Sequence, residues 1–156
     1  MGDDLTYLPA TRDRGATRAR LTTLQKAELL QKLELFSEAS VEDLYRLAAI
    51  AQEVEFAAGQ TIYHQDDFGD AFYLIVQGRM DCYSESDEKR VTLAEGESVG
   101  LASVLTRESR QMHAKTLEDT FALAIGAEDF YNLLSCNSEI TVSLIKYFVK
   151  KVGMAS

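Results

Sequence analysis

Four basic side chains, Arg107, Arg110, His113 and Lys115, fall within one short segment of a chain whose formal net charge is −9. A local excess of positive charge favours an anion at that spot whatever the global field. Just upstream, Gly100-Leu101-Ala102-Ser103-Val104-Leu105 reads as a loop turning into a short helix. The first turn of a helix leaves backbone N–H groups without intrahelical partners, and these aim at any nearby negative group. The chemistry to expect between Gly100 and Thr116 is therefore phosphate binding. Arg107 and Lys115 read as a solvated edge.

Other chemistries find little footing in the residues. There is no nucleophile elbow, no glycine-rich loop ending in Lys-Ser or Lys-Thr, and no Cys-His pair at a catalytic spacing. A metal-dependent enzyme built on a β-roll would need two or three histidines and a carboxylate around one cation. The chain has only His64 and His113. Asp66, Asp67, Asp70, Glu95 and Glu97 lack the spacing of a calcium loop and are expected to serve turns, Asp70 by accepting backbone N–H bonds beside Gly69. The expectation is a protein without catalytic or metal-ligating residues.

The elements that must position the basic segment are mostly strands. Thr61-Ile62-Tyr63-His64 alternates crudely, and Ala71-Phe72-Tyr73-Leu74-Ile75-Val76 is an aromatic and β-branched run suited to a strand buried on at least one face. Gly59, Gly69-Asp70 and Gly78 punctuate them where the chain must turn. Met80 to Tyr83 and Arg90 to Leu93 form a predicted hairpin around an acidic tip, 84–89. Helices are predicted over Thr23 to Leu33, after Ser40 as N-cap, over Ala127 to Leu134, and after Asn137 or Ser138, the last carrying Ile140, Leu144, Ile145, Phe148, Val149 and Val152. Phe36 is expected to plug the core. Residues 1–20, polar and holding the only proline, read as a flexible arm, and 21–153 as one domain.

The order glycine, short strand, acid-rich turn, Gly-Asp, apolar strand, glycine from Gly59 to Gly78 resembles the first half of the cyclic nucleotide-binding β-roll. This is the effector domain of catabolite-activator-type regulators and kinase regulatory subunits. The likeness continues through Leu93-Ala94-Glu95-Gly96-Glu97-Ser98-Val99-Gly100, which resembles that family's turn into its phosphate cassette, and spans roughly residues 23 to 152. It implies an α+β fold: an eight-stranded antiparallel β-roll, or jelly roll, flanked by N-terminal helices and a C-terminal helix pair. It also implies a ligand, cyclic AMP or cyclic GMP, with Gly100, Leu101, Ala102, Ser103, Arg110, Gln111 and Met112 forming the cassette. Arg110 stands ten residues after Gly100, where the family places the arginine that pairs with the cyclic phosphate.

Two departures accompany the likeness. Leu101 occupies the place where ligand-binding members usually carry the glutamate that holds the ribose hydroxyl, and Ser109-Arg110-Gln111-Met112-His113 is bulkier than the family's usual Pro-Arg followed by small residues. Leu101 either fills the pocket or leaves its other hydrogen-bonding groups, Ser103 and Gln111, to compensate. The resemblance thus leaves two functions open: a sensor that signals occupancy through its last helix, or a ligand-free scaffold for dimerisation or docking.

Charge and cysteine usage narrow the partners. Residues 1–20 hold four arginines against three aspartates, so the remainder carries −10, which disfavours nucleic acid. No apolar run reaches membrane-spanning length, and Cys82 and Cys136 lack paired spacing, so the expectation is a cytoplasmic protein with two half-buried thiols. The partners expected are a second copy through the last helix, a protein effector and a phosphorylated small molecule.

Overall fold

A computed structural model describes residues 20–86 and 88–153. The arm expected over 1–20 lies, apart from Arg20, outside the described residues. The chain forms two compact units, one from Gln52–Ala127 and one from Leu21–Ala51 together with 128–153.

The first unit is the expected roll of eight strands. They are β1 (Ala51–Phe56), β2 (Thr61–Tyr63), β3 (Ala71–Gln77), β4 (Met80–Tyr83), β5 (Arg90–Leu93), β6 (Ser98–Val99), β7 (His113–Thr116) and β8 (Thr120–Gly126), with one helix, α3 (Leu101–Thr106), between β6 and β7. They pair into two four-stranded sheets of order β1-β8-β3-β6 and β2-β7-β4-β5. Strand alternation places Val54, Phe56, Tyr73, Ile75, Met80, Cys82, Val99, Ala114, Ala122 and Ala124 in one buried cluster, with Tyr63, Leu93 and Met112 packed against it. Phe56 and Tyr73 meet edge-on at 5.9 Å, an arrangement aromatic quadrupoles favour. In β3 and β8 the intervening residues Phe72, Leu74, Leu123 and Ile125 are buried as well. That explains why these strands read as continuous apolar runs rather than alternating ones.

The turns partly depart from expectation. Gly59 and Gly78 do adopt positive φ, 76° and 116°, and a Cβ on Gly78 would lie 2.8 Å from Thr120 Cα and 2.9 Å from the Asp119 carbonyl oxygen. Gly69, in contrast, is absent from the positive-φ residues, and that role in its turn falls to Asp66 at 77°. Gly69 is required for close approach instead: a Cβ there would stand 2.6 Å from Ser103 Oγ and 2.9 Å from Ser103 Cβ. The carboxylate that accepts a backbone N–H in this turn is Asp67, from His64 at 2.9 Å, rather than Asp70.

The second unit is helical. It holds α1 (Thr23–Gln31), a 3-10 turn (Glu34–Phe36), α2 (Val41–Ile50), α4 (Ala127–Cys136) and α5 (Ser138–Val152). A reciprocal capping box between Thr22 and Gln25 starts α1, two residues shorter than predicted. Ser40 caps α2 through the Asp43 N–H at 3.1 Å. Phe36 is buried as expected. Asn137 occupies the N-cap position of α5 but accepts nothing there; its amide donates backwards to the Leu133 carbonyl at 2.9 Å. Near its other end α5 is tied to the segment of the 3-10 turn by Lys150–Glu38 at 2.6 Å and Lys151–Glu34 at 3.5 Å. Neither thiol is half-buried as expected: Cys82 is buried and Cys136 is exposed.

Candidate functional site

Arg110 is 2% exposed, a guanidinium folded into the roll. Four of its five N–H groups have acceptors within the first unit. Nη1 donates to the Gly100 carbonyl at 3.0 Å and to Ser103 Oγ at 2.9 Å, while Nη2 donates to the Ala71 carbonyl at 2.6 Å and reaches Asp70 Oδ1 at 3.5 Å. Its fifth donor, Nε, is buried without a hydrogen-bond partner among the described residues. The guanidinium plane lies over the Tyr63 ring, 3.9 Å from the centroid, a contact that a flat, weakly hydrated cation makes well.

The local sequence explains the arrangement. Gly100 takes φ +88°, a conformation that favours glycine, and a Cβ there would stand 2.6 Å from Arg110 Nη1, so a side chain at this position would push the guanidinium off its acceptors. Ser103 is buried on the inner side of α3, one turn from Gly100. The backbone of Arg110 is held from the other side: its N–H donates to the Asp67 carbonyl at 2.7 Å and its carbonyl accepts from Asp66 N–H at 2.8 Å. Phe68 and Ser109 add an isolated bridge beside them. The acid-rich turn before β3 is thus a clasp on the arginine.

Burial dominates the ionisation of the nearest groups. Desolvation, and secondarily the neighbouring Cys82, pushes the Tyr63 phenol up to about 12 despite the opposing pull of Arg110. Desolvation, with Asp81 next to it, raises the Cys82 thiol to about 11. Both are neutral at physiological pH, so neither supplies Arg110 with a counter-charge, and Cys82 is not a nucleophile.

Of the residues expected at the site, Gly100, Ser103 and Arg110 are brought together by direct contact. Leu101 is half-buried, and Ala102 and Gln111 are exposed. Met112 turns inward against the core. Arg107 and Lys115 are exposed, as a solvated edge would be. Asp70, expected to cap a turn, instead directs its carboxylate at Arg110. Sequence reasoning missed Tyr63 and the Ala71 carbonyl. An aromatic residue at the end of a strand is the one signal that could have pointed to Tyr63, and a backbone acceptor leaves no signal at all. Among the described residues no group of three or more His, Cys, Asp or Glu side chains converges on a point, and no helix is long and apolar enough to cross a membrane.

Comparison with known proteins places the chain in a family. Residues 53–137 match the cyclic nucleotide-binding domain profile. The chain belongs to that family. Among curated relatives it is 31% identical over 103 residues to lysophospholipase nte1 of Aspergillus oryzae and 27% identical over 117 residues to that of Phaeosphaeria nodorum, covering 64% and 68% of this chain. It spans only 7% and 8% of the length of those enzymes. The same fold occurs in the N-terminal domain of a transcriptional regulator from Streptomyces coelicolor, with TM-score 0.70, 23% identity and coverage of 80% of this chain and 90% of that one. It recurs in the regulatory subunit of a cAMP-independent protein kinase A from Trypanosoma brucei, with TM-score 0.68, 17% identity and coverage of 82% and 47%.

Proposed function

We propose that this chain is a non-catalytic sensing module whose cassette, Gly100, Leu101, Ala102, Ser103, Arg110, Gln111 and Met112, takes the phosphate of a cyclic nucleotide or a related phosphorylated small molecule. The carrying observation is the incomplete compensation of Arg110. A cation removed from water needs opposite charge close by. Here it has two neutral carbonyls, a hydroxyl, and one carboxylate at the 3.5 Å limit that is itself 41% exposed. A phosphate ester oxygen on the unpartnered Nε would supply the missing charge and the missing acceptor together. The six residues of α3 are too few to hold an anion unaided; they add backbone N–H groups to a charge that Arg110 carries. Calorimetry with cyclic AMP and cyclic GMP tests this, with saturable heat expected; none at millimolar ligand would end the ligand reading.

A ligand-free scaffold is the second reading, and Leu101 favours it. An apolar side chain at the first position of α3 offers nothing to a sugar hydroxyl, and four internal bonds already hold Arg110 in place.

The output in either reading is α5. Ile140 and Leu144 of its apolar band are buried, while Val142, Ile145, Val149 and Val152 are 47%, 56%, 38% and 68% exposed. Their spacing of three, four and three is the seam of a two-stranded coiled coil. A homodimer through this seam is expected, with light scattering at micromolar concentration giving twice the chain mass and Ile145→Glu with Val149→Glu restoring a monomer. Monomeric wild-type protein would contradict it.

A further inference from the structure

We propose that His113 is a positioning residue for Arg110, and that its protonation releases the turn that clasps the arginine. His113 opens β7, three residues after Arg110, and its side chain is 16% exposed. Its Nδ1 accepts a hydrogen bond from the Gln65 backbone N–H at 3.1 Å. Only the neutral ring with its proton on Nε2 can do this. The bond to Gln65 is the first of three that fasten residues 65–67 to the segment after α3, the other two being Asp66 N–H to the Arg110 carbonyl and Arg110 N–H to the Asp67 carbonyl. One fastener in three therefore depends on an unprotonated imidazole.

A second proton would turn Nδ1 into a donor facing the Gln65 N–H. Two donors cannot share that space, so the ring or the turn must move. The turn is the strained partner, since Asp66 sits at φ 77°. The ring is meanwhile held on its other sides. Tyr83 of β4 stacks on it at 5.0 Å, with Arg90 of β5 over the Tyr83 ring at 4.9 Å. The Glu85 carboxylate lies 3.9 Å from Nε2. His64 meets it edge-on at 5.8 Å, with Asp67 3.8 Å from the His64 Nδ1. Lys115 is two residues along the same strand and face. With the ring packed on these sides and Asp66 strained, the Gln65 side of the clasp gives way.

The latch is tested without ligand, by following backbone amide and imidazole nitrogen resonances of the full chain from about pH 8 to about pH 5, the range in which imidazoles titrate. The Gln65, Asp66 and Arg110 amides are expected to move together with the His113 ring. In His113→Asn the side-chain oxygen can replace Nδ1 as acceptor but cannot titrate, so these amides should stay still; His64→Asn should leave the wild-type response intact. Amides that do not move, that follow His64, or that move equally in His113→Asn would overturn the proposal. A separate arm rests on the function proposed above: with a bond's worth of coupling, cyclic AMP affinity should fall about tenfold on acidification in wild type and remain flat in His113→Asn. Failure of both cyclic AMP and cyclic GMP to bind at any pH refutes that function, while the latch is still decided by the three amides.

Discussion

Arg110→Ala is expected to destabilise the roll by about 3 kcal/mol or more, and to abolish anion binding, because one side chain serves both. The substitution takes the guanidinium donor from the Ala71 carbonyl and Ser103 Oγ, and one of two donors from the Gly100 carbonyl, which the Ser103 hydroxyl also reaches at 3.4 Å. Each buried acceptor left unpaired costs about 1 to 3 kcal/mol, with entering water recovering part of it. Arg110→Lys separates the two roles. An ammonium retains the charge but lacks the planar fork and the Nε donor, so it should restore part of the stability and little of the binding. Urea unfolding followed by circular dichroism measures the first effect and calorimetry the second. A loss below about 0.5 kcal/mol in Arg110→Ala would place it with ordinary surface changes and would mean that the cassette stands without its arginine.

Leu101→Glu is expected to raise cyclic AMP affinity by about 10- to 150-fold, the worth of one charge-assisted hydrogen bond of about 1.5 to 3 kcal/mol. Leu101 is half-buried at the first position of α3, so a carboxylate there keeps access to water and lies at the end of the helix where negative charge is favoured. Stability should change little. The gain should vanish with the 2′-deoxy analogue, because the new acceptor has nothing to hold there, and should be absent for inorganic phosphate. An affinity unchanged by Leu101→Glu would show that position 101 does not face the sugar.

How far the residues foretold this arrangement depends on what kind of information each carries. The run from Ala71 to Val76 and the turn glycines at 59 and 78 were legible because strand burial and left-handed backbone restrict composition directly. The joining of Gly100, Ser103 and Arg110 was legible only through resemblance, since spacing along a chain does not say which way a side chain points. That is why the inward turn of Arg110 onto two carbonyls, the stacking of Tyr63 beneath it and the packing of Met112 against the core all needed coordinates. The turn at 66–70 shows the same limit in another form. Its Gly-Asp pair suggested a glycine in left-handed conformation and an acid capping the backbone, yet Asp66 takes the first part and Asp67 the second, leaving Gly69 to admit Ser103 and Asp70 to face the arginine. Several acids in one turn can exchange these tasks at small cost, so composition alone does not assign them.

The central claim is that the buried Nε–H of Arg110, which lacks an acceptor among the described residues, is the donor awaiting a phosphate oxygen. It is tested most directly by the Arg110 Nε–H resonance, assigned by its loss in Arg110→Lys and followed during titration with cyclic AMP. A saturable downfield shift, as a charge-assisted hydrogen bond forms, is the predicted result. A resonance that stays fixed up to millimolar cyclic AMP would contradict the account.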